Sequence, residues 1–332
     1  MQTNRIEYID KLKGIAIICV VMGHLSEKSM LIKDIPFNHF YGSFQMPLFM
    51  FLSGIFAFKT FSKCSFEEFL NFFKKKVLRI LIPFLTIGGG NAVLRMYNED
   101  IGIKDAISGY WFLPALFYCM VVGVFANALR MKLGKSRLWI DVVIELAVCG
   151  LLMLGYVSHI ADSVPFYLNF VKMYPFFIMG ALFRKYDSFS TAVKSDNWVY
   201  SLSIVLYIIL WFVEFPIKIK TIGFFSIVIW VQLFIRYDAQ IPQWLKKVGR
   251  YSLEIYVFHW FFIPSIPAVG QWLLHSNGTL NSSQNSVLVV VISAVIASVI
   301  IALCILTTKV IRQSTLFSLI LFGSAPKVKI RE

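Results

Sequence analysis

Arg5-Ile6-Glu7-Tyr8-Ile9-Asp10-Lys11-Leu12-Lys13-Gly14-Ile15-Ala16-Ile17-Ile18-Cys19-Val20-Val21-Met22-Gly23-His24 is the stretch whose reading decides the fold. A charged segment runs into an apolar helix, and the helix delivers one histidine. At 100° per residue, Lys13 and His24 return to nearly the same face after three turns, and a 1.5 Å rise sets them roughly 16 Å apart along the axis. A cation at a membrane boundary and a titratable imidazole inside the apolar layer therefore share one stripe. Asp10 lies some 40° off that face and roughly 21 Å from His24, too far to orient the imidazole. Its ordinary role is N-cap of the first helix, with Lys13 at the third helical position. Its sharper role is to pair with a cation that holds a phosphate.

The remainder of the chain fits a membrane solvent. Of 332 residues, 58% are hydrophobic, and the mean hydropathy is +0.71. A soluble domain is nearer half apolar. The expected fold class is all-α: a polytopic membrane protein forming one integral membrane domain over residues 1–332, with both termini cytoplasmic. A span takes about 20 mainly apolar residues. Ten segments qualify: 12–27, 42–59, 77–97, 110–129, 138–157, 167–184, 198–214, 220–236, 251–273 and 286–311. The ninth carries Pro264 and Pro267, which predict a kink or break near its outer end. The polar N-terminus and the missing small-residue cleavage site predict no removable signal peptide.

The net charge of +14 does not mark a nucleic-acid binder, because of where the charge lies. Of the 32 Lys and Arg residues, all but Lys28, Lys33, Arg95, Lys104, Lys172, Lys218 and Lys220 fall on six segments on one side of the membrane, if the N-terminus is on that side too. That bias is the positive-inside pattern. It predicts a multi-pass protein of the inner (plasma) membrane, with the lipid bilayer rather than a nucleic acid as partner. For most of these cations topology and headgroup contact are explanation enough. The segment 60–76 reads as an amphipathic helix on the inner surface. Five cysteines (Cys19, Cys64, Cys119, Cys149 and Cys304) form no CxxC pair, so neither a disulfide nor a bound metal is expected. No glycine-rich phosphate loop and no serine nucleophile elbow occur.

Ionisable residues inside spans are costly and default to functional candidates. His24 leads them; the plain alternative is a hydrogen-bonded packing histidine. Ser252, Tyr256 and His259 follow i, i+4, i+7 spacing and line one helix face. Three aligned polar groups fit a substrate-lined interior, against interhelix hydrogen bonding as the plain alternative. Glu254 points elsewhere, toward a basic residue at the inner surface or a substrate. Arg79, entering the third span beside Lys76, suits bidentate phosphate binding; snorkelling is its alternative. Trp111 opens the fourth span, where membrane-belt anchoring competes with stacking on a sugar. Gln45 is a further substrate-binding candidate. Glu145 and Lys172 are expected to pair across helices for structural reasons.

Four motifs resemble the acyltransferase-3 family of integral membrane O-acyltransferases. They are Asp10-x-x-Lys13-Gly14 to His24; Phe44-Gln45-Met46-Pro47-Leu48-Phe49-Met50-Phe51-Leu52-Ser53-Gly54; the basic run to Arg79-Ile80-Leu81-Ile82-Pro83-Phe84 with Trp111-Phe112-Leu113; and Gly249-Arg250-Tyr251-Ser252 through Tyr256 to His259. Lys13 stands where that family more often has Arg, and a point charge loses bidentate phosphate geometry. The resemblance implies a ten-helix enzyme that moves an acyl group, commonly acetyl, from cytoplasmic acetyl-CoA (acyl-CoA) to a glycan hydroxyl. The nearest flavour is the stand-alone bacterial type that acetylates envelope or capsular polysaccharide. Acyl-CoA is then the donor substrate, with no tightly bound cofactor, and a glycan or lipid-linked glycan is the acceptor. Lys13, Arg79, Asp10 and Lys76 are the expected phosphate-binding set. His24 is the expected general base on the sugar hydroxyl, with Tyr256, Ser252 or His259 as oxyanion donors. Homodimerisation stays open. The main rival is a transporter or flippase of a lipid-linked glycan, for which paired broken helices would speak; a structural membrane subunit is the second.

Overall fold

The structure, a computed structural model, describes residues 7–32, 36–61, 66–133, 137–159, 163–214, 218–275 and 283–325. Arg5, Lys33, Lys63, Cys64, Lys135, Lys327, Lys329 and Arg331 lie outside the described residues, as does part of the segment 60–76. Every regular element among the described residues is helical. In lipid a helix satisfies its own backbone, so this follows from the apolar composition. In chain order the helices begin with α1 (Glu7–His24), α2 (Pro36–Phe61), α3 (Phe66–Pro83), α4 (Gly89–Glu99) and α5 (Ile103–Ile107). Next come α6 (Phe112–Leu133), α7 (Leu138–Val157), α8 (Tyr167–Lys185), α9 (Asp187–Ser195), α10 (Asn197–Phe212) and α11 (Lys218–Arg236). The last are α12 (Gln243–Arg250), α13 (Ser252–Phe262), α14 (Pro267–His275), α15 (Ser283–Ile311) and α16 (Thr315–Phe322).

Four stretches are long and apolar enough to cross a membrane unaided: Pro36–Ala57, Lys76–Glu99, Leu138–Val157 and Ser286–Ile311. Three more candidates are bent pairs: Ile103–Tyr110 with Phe112–Ala126 at 70°, Asp187–Ser195 with Asn197–Phe212 at 66°, and Ser252–Phe262 with Pro267–Leu273 at 89°. The chain is thus a multi-pass membrane protein with four to seven spans by length and composition among the described residues. The remaining expected segments, 12–27, 167–184 and 220–236, do fold as α1, α8 and α11, but each of these helices carries three or four Asp, Glu, Lys or Arg residues. The break at Pro264 and Pro267 is where the sequence predicts it. The other two bends are not marked by such a proline pair.

The chain divides into two compact units: Met1–Phe49 with Val193–Lys309, and Met50–Ala192 with Val310–Glu332. In the first, α1 packs against α11, α12 and α13. Its crossing with α12 is backbone on backbone. A Cβ on Gly14 would stand 2.3 Å from the Leu245 carbonyl oxygen, and one on Gly249 would stand 1.7 Å from that of Asp10. Small residues let helices in a bilayer approach this closely. Around the crossing, Lys11, 0% exposed, donates to the Asp238 carboxylate at 2.8 Å and to its carbonyl. Lys246 pairs with Glu7. Asp10 is not an N-cap. The helix is already formed at Glu7, so Asp10 is an interior position turned toward α12, 3% exposed, with Oδ2 3.5 Å from Arg250 Nε.

At the far end of α1 the helix runs into a π-helical turn, Leu25–Ser29. The break between α13 and α14 is stitched to that turn: Ser29 donates to the Pro264 carbonyl at 2.5 Å, and the Ile266 amide donates back to Ser29 at 3.1 Å. Gly270 rests on Met30, with no room for a Cβ. Met30, Ile32, Leu273 and Val289 close the apolar cluster there.

In the second unit α8 packs on α6 and α7. Gly54 and Gly180 make a reciprocal close contact, each leaving 1.9 Å between an added Cβ and a carbonyl oxygen, of Phe177 and Phe51 respectively. Asp141 accepts from Lys185 at 2.5 Å and from the Tyr186 hydroxyl at 2.7 Å. Glu145 accepts from the Tyr174 hydroxyl at 2.9 Å, so the expected pairing with Lys172 is replaced by a neutral donor on the facing helix. Lys76 (half-buried) and Arg79 (exposed) both sit on α3. Trp111 is half-buried at the bend before α6.

Replacing Gly249 with Val should cost about 3 kcal/mol, the upper range for forcing bulk into a filled contact. Gly150→Ala, which meets open space, is the control. Thermal unfolding of the purified protein in detergent should show a large drop for the first and none for the second.

Candidate active site

α1 is unbroken from Glu7 to His24, so the helical stripe read from the sequence holds, with Lys13 half-buried on it about 16 Å from His24. His24 is the last α-helical residue before the π turn. Short π segments recur at functional sites because they re-aim side chains. Here His24 meets α13. Its ring centroid is 5.5 Å from that of His259, the planes 17° apart, and 4.6 Å from that of Trp260. His259 and Trp260 are 5.1 Å apart, and Tyr256 adds its ring 6.0 Å from His259. Two histidines separated by more than two hundred residues in the chain thus form one cluster with an indole.

The hydrogen bonding of His259 fixes its tautomer. Its Nδ1 lies 3.1 Å from the Ile255 carbonyl oxygen, and a carbonyl only accepts, so the proton is on Nδ1. In the neutral ring Nε2 then carries a bare lone pair. His259 is 0% exposed, and Nε2 is buried with no hydrogen-bond partner among the described residues. Trp260 Nε1 is in the same condition. A buried polar atom without a partner costs about 1–3 kcal/mol, so such atoms are rare and call for a reason. The pair offers one acceptor and one donor beside His24, the set that a hydroxyl and a carbonyl together require.

The other candidates are distributed as follows. Tyr256 is buried on the same helix as His259. Ser252 begins that helix, about 10 Å from His259 along its axis, and is outside the ring cluster. Glu254 is buried, 5% exposed. Gln45 lies on α2, its Oε1 buried and without a partner among the described residues. Asp10 meets Arg250, whose side chain is 45% exposed. Asp10 thus has a cation partner, one that the sequence reading does not single out. Arg79, Lys76 and Trp111 belong to the second unit. Trp260 was also passed over. Its signal was available: an indole N–H within an apolar span needs a partner, and the neighbouring residue is a candidate histidine.

Solid-state ¹⁵N spectra of histidine-labelled protein, with His259→Gln to assign the resonances, should show His259 protonated at Nδ1 and bare at Nε2. The reverse tautomer would remove the lone pair from the cluster.

The family described as an acyltransferase domain, Acyl_transf_3, matches residues 6–307. No curated protein matches the chain, and no solved structure does. The family match spans both His24 and His259 and nearly all the apolar helices. The chain therefore belongs to the acyltransferase-3 family and is a multi-pass membrane acyltransferase.

Proposed function

We propose that the protein transfers an acetyl group from cytoplasmic acetyl-CoA to a hydroxyl of a cell-envelope, capsular or exopolysaccharide sugar, from the inner membrane, with both termini in the cytoplasm. The observation that carries this reading is the His24–His259–Trp260 cluster with its unpartnered acceptor and donor. Sugar hydroxyls are poor nucleophiles at neutral pH. A positioned imidazole lifts that barrier by taking the proton as attack proceeds, an effect of roughly 10²–10⁴-fold. His24 takes this role. The His259 lone pair accepts from a neighbouring sugar hydroxyl, so two imidazoles hold a diol-bearing acceptor. Tyr256 is a further hydroxyl donor next to His259.

The donor's charge is met near the start of α1. In the first unit Lys13 takes this role, with Asp10 holding the Arg250 guanidinium; Arg79 and Lys76 are the phosphate-binding candidates of the second unit. The apolar length from Lys13 to His24, about 16 Å, suits a pantetheine arm that carries the thioester from one to the other. Gln45 and Glu254 are polar groups for the glycan in the first unit, and Trp111 is the sugar-stacking candidate of the second. The positive-inside bias supports the orientation, and Lys13, Arg79 and Lys76 fit cytoplasmic entry of the donor.

A second reading has one specific observation in its favour. Three bent helix pairs are more than the single break expected, and broken helices are a mark of carriers. A flippase of a lipid-linked glycan would use the same histidines as a pathway lining.

Mass spectrometry of O-acetyl groups on the host's surface glycans separates the two. Deletion should remove acetyl groups, the wild-type gene should restore them, and His24→Ala should not. Full restoration by His24→Ala would end its assignment as base, and lost glycan export with unchanged acetylation would favour the carrier. In the purified protein, Lys13→Ala should raise KM for acetyl-CoA about tenfold, the 1.4 kcal/mol expected for one charge-assisted phosphate contact, while kcat stays near wild type.

A further inference from the structure

The geometry points to Trp260 as the oxyanion donor of the acyl transfer: its indole N–H binds the thioester carbonyl oxygen and stabilises the charge that develops there. The inference rests on the acyltransfer reading above and adds a catalytic residue to it. Nε1 is buried and has no hydrogen-bond partner among the described residues. Buried indole nitrogens usually find an acceptor, and among the described residues the rings against this one are the two histidines, at 4.6 and 5.1 Å between centroids. Of these, His259 has already committed its one proton to Ile255, so in its neutral form it has no proton to give an oxyanion. Trp carries a donor and no acceptor. In a cluster with an imidazole lone pair, it is the complementary half of a site for a carbonyl under attack by a hydroxyl.

The step balances without an added reactant. The sugar oxygen attacks the thioester carbon while His24 takes the hydroxyl proton. A C–O bond forms, and the carbonyl π pair moves onto the oxygen that Trp260 holds. As the tetrahedral centre collapses, that pair re-forms the C=O bond and the C–S bond breaks. The CoA sulfur leaves with the bond electrons and receives the proton from His24. An N–H is worth more to the oxyanion than to the neutral thioester oxygen, so its effect falls on kcat.

The test uses the purified full-length protein, ¹⁴C-acetyl-CoA, and membranes from a deletion host as the source of unacetylated acceptor. Trp260→Phe keeps an aromatic ring and removes the donor. Replacement of Trp260 by benzothienylalanine puts sulfur in place of N–H with nearly the same shape, and it serves where the Phe variant does not fold. Both should lower kcat by about 10²-fold, the usual loss for one oxyanion donor, with KM for acetyl-CoA unchanged. Wild-type kcat in the benzothienylalanine variant overturns the inference. So does a loss of label accompanied by raised KM, which marks a packing role. If the wild-type protein itself transfers no label, the acyltransfer reading falls first, and this inference falls with it.

Discussion

The crossing of α1 and α12 at Gly14 and Gly249 is the contact on which the site depends. Gly249 rests directly on the Asp10 carbonyl and the Gly14 amide, and Gly14 on the Leu245 carbonyl and side chain, so neither glycine's neighbour can move away without parting the helices. Only Tyr251 lies between α12 and α13; its amide bonds to Val248, and the Ile255 amide bonds back to its carbonyl. Whatever fixes Gly249 on Asp10 therefore fixes the start of α13. Two turns further on, that helix presents His259 and Trp260 to His24, at the other end of α1. Lys11–Asp238 and Lys246–Glu7 add ionic ties around the same crossing. Lys11 is wholly buried, so its pairing is an obligation rather than a bonus.

Much of this was legible in the sequence, because the bilayer limits what a chain can do. Apolar runs gave the all-α class, and the two prolines after His259 gave the break in the ninth segment. His24 and His259 stood out since ionisable groups in spans are costly. What failed was local. Asp10 reads as a cap only if the helix begins with it, and the helix is already formed at Glu7. Glu145 accepts from the Tyr174 hydroxyl, a donor on the facing helix that a search for opposite charges does not consider. The bends before Trp111 and at Asp196 have no proline pair to announce them. The second of these is made by Asp196, which accepts from the amides of Trp198 and Val199 as N-cap of α10. Nor do helical periods reveal that α1 and α13 meet, which is why Trp260 went unremarked beside its histidine.

The cluster brings two unsatisfied polar atoms of the first unit side by side. Several other polar side chains of that unit find partners across helices: Ser43 meets Tyr207 at 3.1 Å, and Ser226 donates to the Ser43 carbonyl at 3.2 Å. Gln232 donates to the Asp196 carbonyl at 3.0 Å. Against that background, two neighbouring ring nitrogens left bare are a local sacrifice of stability, of the kind active sites make when their groups are reserved for a ligand.

The π turn after His24 has a consequence for how such chains can diverge. A π turn is an α-helix holding one extra residue, and here Ser26 donates to the Gly23 carbonyl at 2.9 Å where the regular ladder is interrupted. Removing one residue between Leu25 and Ser29 would restore the ordinary helical ladder there, while the eleven-step interval from Lys13 to His24 stayed whole. A one-residue gap after His24 therefore leaves the imidazole's placement on α1 intact. Anywhere in Gly14–Gly23 it would swing the ring away from α13, so in an alignment of homologous chains the length of that interval should be invariant even where its letters are not.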